Sequence, residues 1–148
     1  MKIIFLDVDG VLNSLQDGSF VRLRTDSHLK LLKQIVDVTG AKIVLSSSWR
    51  IGPTKARNNL LKRLEEYGLQ IMDSTPVLSG ASSRGDEIRQ WLNESKYEIE
   101  SFVILDDEDD MEEFTAKNLV QTNTAVGLRE KDASKCISML NNSIANIS

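Results

Sequence analysis

The sequence has a single cysteine, Cys136, so no disulfide can form within the chain. Cysteine use this low is typical of proteins in a reducing compartment, and we expect a cytoplasmic protein. The sequence also has a single histidine, His28, and therefore lacks the groups of histidines and cysteines that bind zinc. His28 falls in the first turn of a predicted helix, where we interpret it as a surface residue.

Long hydrophobic runs and an excess of positive charge are absent as well. The apolar stretch that begins at Lys2 is broken by Asp7 and Asp9, too early for a signal peptide, and no other stretch is long enough to cross a membrane. The 22 acidic side chains outnumber the 18 basic ones, so the surface as a whole does not indicate nucleic-acid binding. The length of 148 residues, of which 41% are hydrophobic, predicts one domain over residues 1–148 with a core of its own.

Two carboxylates follow the first predicted strand. Residues 2–6 are mostly apolar and include branched and aromatic side chains, as a buried strand requires. The strand ends at Asp7, and Asp9 and Gly10 come directly after it. Ligands of open α/β sheets bind at the carboxyl ends of strands, and carboxylates this close repel unless a cation or a proton lies between them. The pattern predicts a Mg²⁺ site with an aspartate nucleophile; the alternative is a solvated turn.

Apolar strands and amphipathic helices alternate along the rest of the chain. Further strands are predicted over Ala41–Leu45, Leu69–Met72, Phe102–Leu105 and Asn118–Thr122. Helices are predicted to begin near Asp26, Pro53, Arg84 and Asp132. This alternation indicates a parallel sheet with helices on both faces.

Polar turns follow two of these strands. Ser46 begins the turn SSSWR, and backbone N–H groups in such a turn form a concavity that binds anions. Asp106 begins the run DDEDD, in which unpaired like charges next to a buried strand would raise one another's pKa. We therefore expect a cation there, and Mg²⁺ suits ligands that are all oxygen.

Four stretches in this order, DVDGVLN, IVLSSSWR, RGDEIRQWL and VILDDEDD, resemble the motifs of the haloacid dehalogenase (HAD) superfamily. They are most similar to the HAD domains of Swiss Army knife RNA-repair proteins, and the resemblance covers nearly the whole chain. It implies a three-layer, Rossmann-like α/β fold. It also implies a Mg²⁺-dependent phosphatase that hydrolyses a phosphorylated substrate through an aspartyl-phosphate.

The resemblance further implies a role for each motif residue. The implied catalytic residues are Asp7 as nucleophile, Asp9 as general acid and base, and Ser46 and Arg84 as holders of the phosphoryl group. The implied substrate-binding residues are Gly10, Ser47 and Arg50. The implied Mg²⁺ ligands are Asp7, the backbone carbonyl of Asp9, and Asp107, with Asp106 in support.

The spacing of the motifs predicts an open site without a cap domain. Residues 13–25 hold a flap at most, and residues 51–83 are filled by one helix, a short strand and a loop. An open site admits phosphates on large molecules, and several basic residues follow the motifs closely: Arg22, Arg24, Arg50, Lys55 and Arg57. The hypothesis is a phosphatase acting on a nucleic-acid end, a polynucleotide 3′-phosphate; otherwise these residues are a solvated face.

Two alternatives remain open from the sequence. One is a phosphatase of small molecules such as nucleotides or sugar phosphates. The other is a receiver-like signalling module, in which the phosphoryl group on aspartate is a message. The order of the acidic motifs argues against the second, because receivers place the acidic pair first and the acceptor in a later strand.

Overall fold

The computed structural model describes residues 1–14, 26–48, 54–80 and 82–142. These residues form five strands, four α-helices and one short 3-10 helix in alternating order. The strands are β1 (Lys2–Leu6), β2 (Lys42–Leu45), β3 (Ile71–Ser74), β4 (Ser101–Asp106) and β5 (Leu119–Gln121). The helices are α1 (Asp26–Thr39), α2 (Thr54–Glu66), α3 (Arg84–Glu94), the 3-10 helix Glu112–Phe114, and α4 (Glu130–Asn141).

The strands form one parallel sheet in the order β3-β2-β1-β4-β5. The central strand β1 is almost wholly apolar, because both of its faces are covered. Ile4 and Leu6 face one layer of helices, while Ile3 and Phe5 face the other. The predicted parallel α/β fold with helices on both faces is confirmed.

The two faces of the sheet carry different numbers of helices. Buried side chains of α1, α2 and α4 pack on one face, with Leu32, Leu64 and Leu140 among them. Ile88 and Trp91 of α3 pack on the opposite face, where the edge of the Trp91 ring meets Phe5 with centroids 5.4 Å apart. Three layers result, and the strand ends between them are where the motif residues lie.

Several details differ from the sequence-based expectations. His28 is buried rather than on the surface, because its Nδ1 lies 3.0 Å from the carbonyl oxygen of Leu128 and its ring fills the space beside Gly127. The third strand begins at Ile71 rather than Leu69, since the Leu69 N–H closes the end of α2 on the carbonyl of Leu64 at 2.9 Å. Helix α4 begins at Glu130, two residues early, because Asp132 accepts a hydrogen bond from the Arg129 N–H at 3.0 Å and so lies inside the first turn.

Residues 54–80, between β2 and α3, belong to the core. Leu60 and Leu64 of α2 are fully buried in it, and β3 is the edge strand of the sheet. Leu61, next to Leu60 in the sequence, is 42% exposed because it lies one residue beyond the buried face of the helix. Within the described ranges we see no cap domain and no helix long and apolar enough to span a membrane. The predicted flap, at residues 13–25, lies mostly outside them.

Candidate active site

The register of the sheet places three motif residues side by side. Leu6, at the end of β1, pairs with Leu45 of β2 and with Leu105 of β4. The next residue along the chain is therefore Asp7 after Leu6, Ser46 after Leu45 and Asp106 after Leu105. Backbone hydrogen bonds between the strands continue through these residues. The Asp7 N–H donates to Leu105 at 3.0 Å, and the Ser46 N–H donates to Leu6 at 2.8 Å. This edge lies where the chain reverses its direction of crossover, the usual ligand site of open parallel sheets.

Arg84 joins two of the strand-end carboxylates. Its Nη1 lies 3.0 Å from Asp7 Oδ1 and 3.1 Å from Asp106 Oδ2. In the sequence, Arg84 is 77 positions from Asp7 and 22 positions from Asp106. The two aspartates are buried, and Arg84 is largely buried as well. Charged groups withdrawn from water need such partners, so Arg84 stabilises the acidic edge of the sheet.

A third carboxylate converges on the same place. Oxygen atoms of Asp7, Asp106 and Asp107 all lie within 4.8 Å of one another. One arginine cannot neutralise three carboxylates, and an all-oxygen set of this kind is the donor set that Mg²⁺ and Ca²⁺ prefer. The three residues therefore fit a divalent cation. The Asp107 Oδ2 also accepts a hydrogen bond from Thr124 at 2.8 Å, which orients this carboxylate.

Burial makes the carboxylates of this edge hard to ionise. Burial, together with the negative charge of Asp7, raises the pKa of Asp106 to about 8, although the positive charge of Arg84 acts in the opposite direction. Burial likewise raises the pKa of Asp7, against the pull of Arg84. For Arg84, burial disfavours the charged form, but Asp106 and Asp7 outweigh it and raise its pKa. A bound cation would reverse the effect on the aspartates, because positive charge favours the carboxylate form.

The loop after β1 is built around Gly10. Its φ of +80° is a left-handed conformation, and a Cβ there would lie 2.2 Å from the Asp107 Oδ2. The Gly10 carbonyl accepts a hydrogen bond from Thr122 at 2.6 Å, and its N–H donates to the Asn13 Oδ1 at 2.9 Å. Glycine therefore lets the loop approach Asp107 closely, a packing role in addition to the substrate contact that we predict.

The start of α3 is fixed on both sides of Arg84. Ser83 caps the helix by accepting from the Asp86 N–H at 3.1 Å, while Asp86 accepts from the Ser83 N–H at 3.0 Å. Gly85 lies so close to Met111 that an added Cβ would come within 2.8 Å of that residue's backbone. These contacts set the depth at which α3 enters the structure, and with it the reach of Arg84.

Ser46 directly follows β2, next to the end of β1. It is buried, and its Oγ has no hydrogen-bond partner in the described ranges. An unpaired buried hydroxyl is costly, so Ser46 is available to a ligand at this edge. Ser47 is also fully buried next to it.

The chain matches, over residues 3–133, the family described as the HAD domain in Swiss Army Knife RNA repair proteins. It belongs to this family. The resemblance to HAD domains is thereby confirmed, and membership supports a hydrolase acting on phosphorylated substrates. Searches of the curated proteins and of the solved structures found no match for the chain.

The HAD domain brings together Asp7, Ser46, Arg84, Asp106 and Asp107 but holds Asp9 differently. The Asp9 carboxylate is not one of the three convergent groups; it accepts from the Asn13 Nδ2 at 3.0 Å. A role for its backbone carbonyl at the metal stays a prediction. Arg50 and its neighbour Trp49 lie outside the described residues.

Three polar residues that support this site were not predicted: Asn13, Thr122 and Thr124. Each makes a hydrogen bond to the loop after β1 or to Asp107. Asn13 follows the first motif within the stretch DVDGVLN, so its position was a usable signal. The two threonines come from the loop after β5, and only the folded chain brings Thr122 to Gly10, 112 positions away, and Thr124 to Asp107.

We expect Gly10→Ala to weaken Mg²⁺ binding, because its Cβ would displace the Asp107 carboxylate. Groups that orient a metal ligand are typically worth about 10–100-fold in affinity, and we expect a loss in that range. The readout is the rise of the unfolding temperature with Mg²⁺ concentration. Gly80→Ala is the matched control: Gly80 has a φ of +81° but nothing within 4 Å of an added Cβ. Equal Mg²⁺ affinities in the two variants would contradict the packing role of Gly10.

In metal-free protein, the raised pKa of Asp106 predicts that stability falls with rising pH. Between the unfolded pKa of about 4 and the folded pKa of about 8, the folded state holds a proton that the unfolded state has released. The free energy of unfolding should therefore decrease across this window in urea titrations with EDTA. Asp106→Asn should reduce the decrease, whereas Asp109→Asn, at an exposed position, should keep it. A wild-type slope in Asp106→Asn would show that another group is responsible.

Proposed function

We propose that this HAD domain is a Mg²⁺-dependent phosphomonoesterase that acts through an aspartyl-phosphate on Asp7. The observation that carries the proposal is the position of Asp7 between Arg84 and the acidic end of β4. The proposed nucleophile is thus buried beside the positive charge of Arg84 and beside carboxylate oxygens that fit a divalent cation. Phosphoryl transfer needs these elements, because its catalysis is mainly positioning and charge stabilisation.

Asp7, Asp106 and Asp107 are the side chains that would hold the metal ion, together with the Asp9 backbone carbonyl. When bound, Mg²⁺ supplies positive charge that screens the repulsion between the nucleophilic carboxylate and the phosphate. Arg84 pairs with Asp7 in any case, so part of the anion-binding charge belongs to the protein itself. The Ser46 hydroxyl, which has no partner in the described ranges, is suited to donate to a phosphate oxygen.

The reaction then proceeds in two displacements. A carboxylate oxygen of Asp7 attacks phosphorus, the bond to the ester oxygen breaks, and Asp9 gives its proton to the departing alkoxide. Asp9 next removes a proton from water, whose oxygen attacks phosphorus and releases inorganic phosphate with Asp7 regenerated. The hydrogen bond from Asn13 keeps the Asp9 side chain outside the group of convergent carboxylates, as a separate acid and base requires.

For the substrate, we propose a phosphate at the end of a polynucleotide, most specifically a 3′-phosphate. The family description names RNA repair proteins, and the described residues form no cap that would enclose a small molecule. A small-molecule phosphatase is the second candidate. A receiver-like module would use a similar acidic edge but would keep its phosphoryl group for hours, where an enzyme intermediate lasts seconds.

We expect Asp9→Asn to lose activity according to the leaving group. General acid catalysis is worth roughly 10²–10⁴-fold, so the loss should be near this size for an alkyl phosphate and much smaller for p-nitrophenyl phosphate. Asp7→Asn should be inactive on both, because an amide cannot act as the nucleophile. Steady-state rates on the two substrates measure this, with the exposed Asp109→Asn as control. Wild-type activity of Asp9→Asn on the alkyl phosphate would refute its role as the acid.

We expect a 3′-phosphorylated oligonucleotide to be a better substrate than the matching mononucleotide at low salt. Each backbone phosphate contacted by a basic residue should add about 0.7 to the dependence of log kcat/KM on log salt for a single strand. The measurement is kcat/KM for both substrates across a salt series. An oligonucleotide without advantage at low salt would favour the small-molecule candidate.

A further inference from the structure

A polar cleft leads away from the metal-binding carboxylates on the side of β5. Its volume is about 580 Å³, the size of a complete small-ligand pocket. Asp107 lies at one end, and side chains of the loop after β5 form the walls. Arg129, Lys131 and Asp132, at the start of α4, line its far end. The cleft therefore connects the site of Asp107 with the beginning of the last helix.

A second cavity, of about 650 Å³, lies between α1 and α4. It shares Arg129 and Lys131 with the polar cleft and adds Lys30 from α1. Ser27, Leu31, Gln34 and Glu130 complete its lining. The two cavities are therefore neighbours, with Arg129 and Lys131 common to both.

Charge changes along these two cavities. The beginning is acidic, at the carboxylates that fit a metal ion, whereas three basic residues and one acidic residue line the second cavity. Lys30, Arg129 and Lys131 are exposed, and neither Arg129 nor Lys131 has an ion-pair partner among residues 1–14, 26–48, 54–80 and 82–142. Exposed basic side chains that line cavities next to an acidic site are suited to further anionic groups of the same ligand.

We propose that Lys30, Arg129 and Lys131 bind the backbone phosphates of a polynucleotide whose terminal phosphate lies at Asp7. This rests on the proposed function and adds the route by which the strand leaves the site. The polar cleft next to Asp107 has the volume of a pocket for one small ligand, whereas all three basic side chains line the second cavity and are suited to the further phosphates of a longer strand.

The route differs from the one that the sequence suggested. Lys55 and Arg57 of α2 are exposed, but the cleft that includes Asp107 is lined by the loop after β5 and the start of α4. The basic residues that follow the first two motifs thus lie apart from these cavities or outside the described residues. Arg129 and Lys131 follow none of the four motifs closely, so their proximity to Asp107 arises only in the folded chain.

Binding tests the proposal separately from catalysis. The probe is a fluorescent single strand of about ten nucleotides with a 3′-phosphate, and its anisotropy is followed with Asp7→Asn protein in a salt series with Mg²⁺. Adding Arg129→Ala and Lys131→Ala should lower the slope of log affinity against log salt by about 1.4. The loss of affinity between 50 and 200 mM salt should then be about sevenfold smaller than without these two substitutions. Lys135→Ala is the matched control, an exposed lysine one turn further along α4 that lines neither cavity, and it should keep the original slope.

An unchanged slope in the double variant would overturn the proposal, as would an acidic phosphopeptide that binds with the same affinity and slope. Hydrolysis of p-nitrophenyl phosphate by the protein with Asp7 intact reports the proposed function independently. If that hydrolysis is present and the slopes are equal, the phosphatase stands and the strand route fails. If the slope falls but neither p-nitrophenyl phosphate nor the oligonucleotide is hydrolysed, the route stands and the phosphatase fails.

Discussion

The ion pairs of Arg84 with Asp7 and Asp106 are the interaction on which the functional edge of this protein depends. Two parallel strands deliver these carboxylates to neighbouring, buried positions, and a third, Asp107, follows within 4.8 Å. Burial and mutual repulsion raise the pKa of Asp7 and of Asp106, so the arrangement opposes its own ionisation. Arg84 offsets part of that cost, and the remainder defines a place for a cation. The excess of negative charge that makes this edge unfavourable by itself would favour a bound cation there.

Close packing of backbone, rather than long side chains, brings the parts of this edge together. Gly10 allows the loop after β1 to approach Asp107, and Gly85 allows the start of α3 to approach Met111. A methyl group at either place would collide with an atom within 3 Å, in one case a metal-binding carboxylate and in the other a backbone carbonyl. The capping box of Ser83 and Asp86 then holds α3 in register. The chemistry that we propose needs this rigidity, because it requires a nucleophile, a cation and metal ligands within a few ångströms of one another.

The chemistry and the recognition of the ligand occupy different parts of the fold. The carboxylates and Arg84 lie at the centre of the sheet, where the environment is buried and fixed. The proposed contacts with the strand lie at the rim, on exposed side chains of α1 and α4, where charge attracts a ligand but water competes. If the proposed substrate is correct, such a division allows a chain with a net charge of -4 to bind a polyanion, because the proposed basic contacts are local.

The sequence by itself determined the alternation of strands and helices, the parallel sheet, and the acidic and serine-rich strand ends, because apolar periodicity and strand-end polarity are local properties. It also predicted that α3 begins near Arg84, and the structure begins the helix at that residue. Tertiary structure alone decided that Arg84 bridges Asp7 and Asp106, that Thr122 supports the loop after β1, that Thr124 orients Asp107, and that His28 is buried. These contacts join residues from 17 to 112 positions apart. These contacts depend on the register of the sheet and on the packing of the helices, and neither can be predicted from any single stretch of the chain.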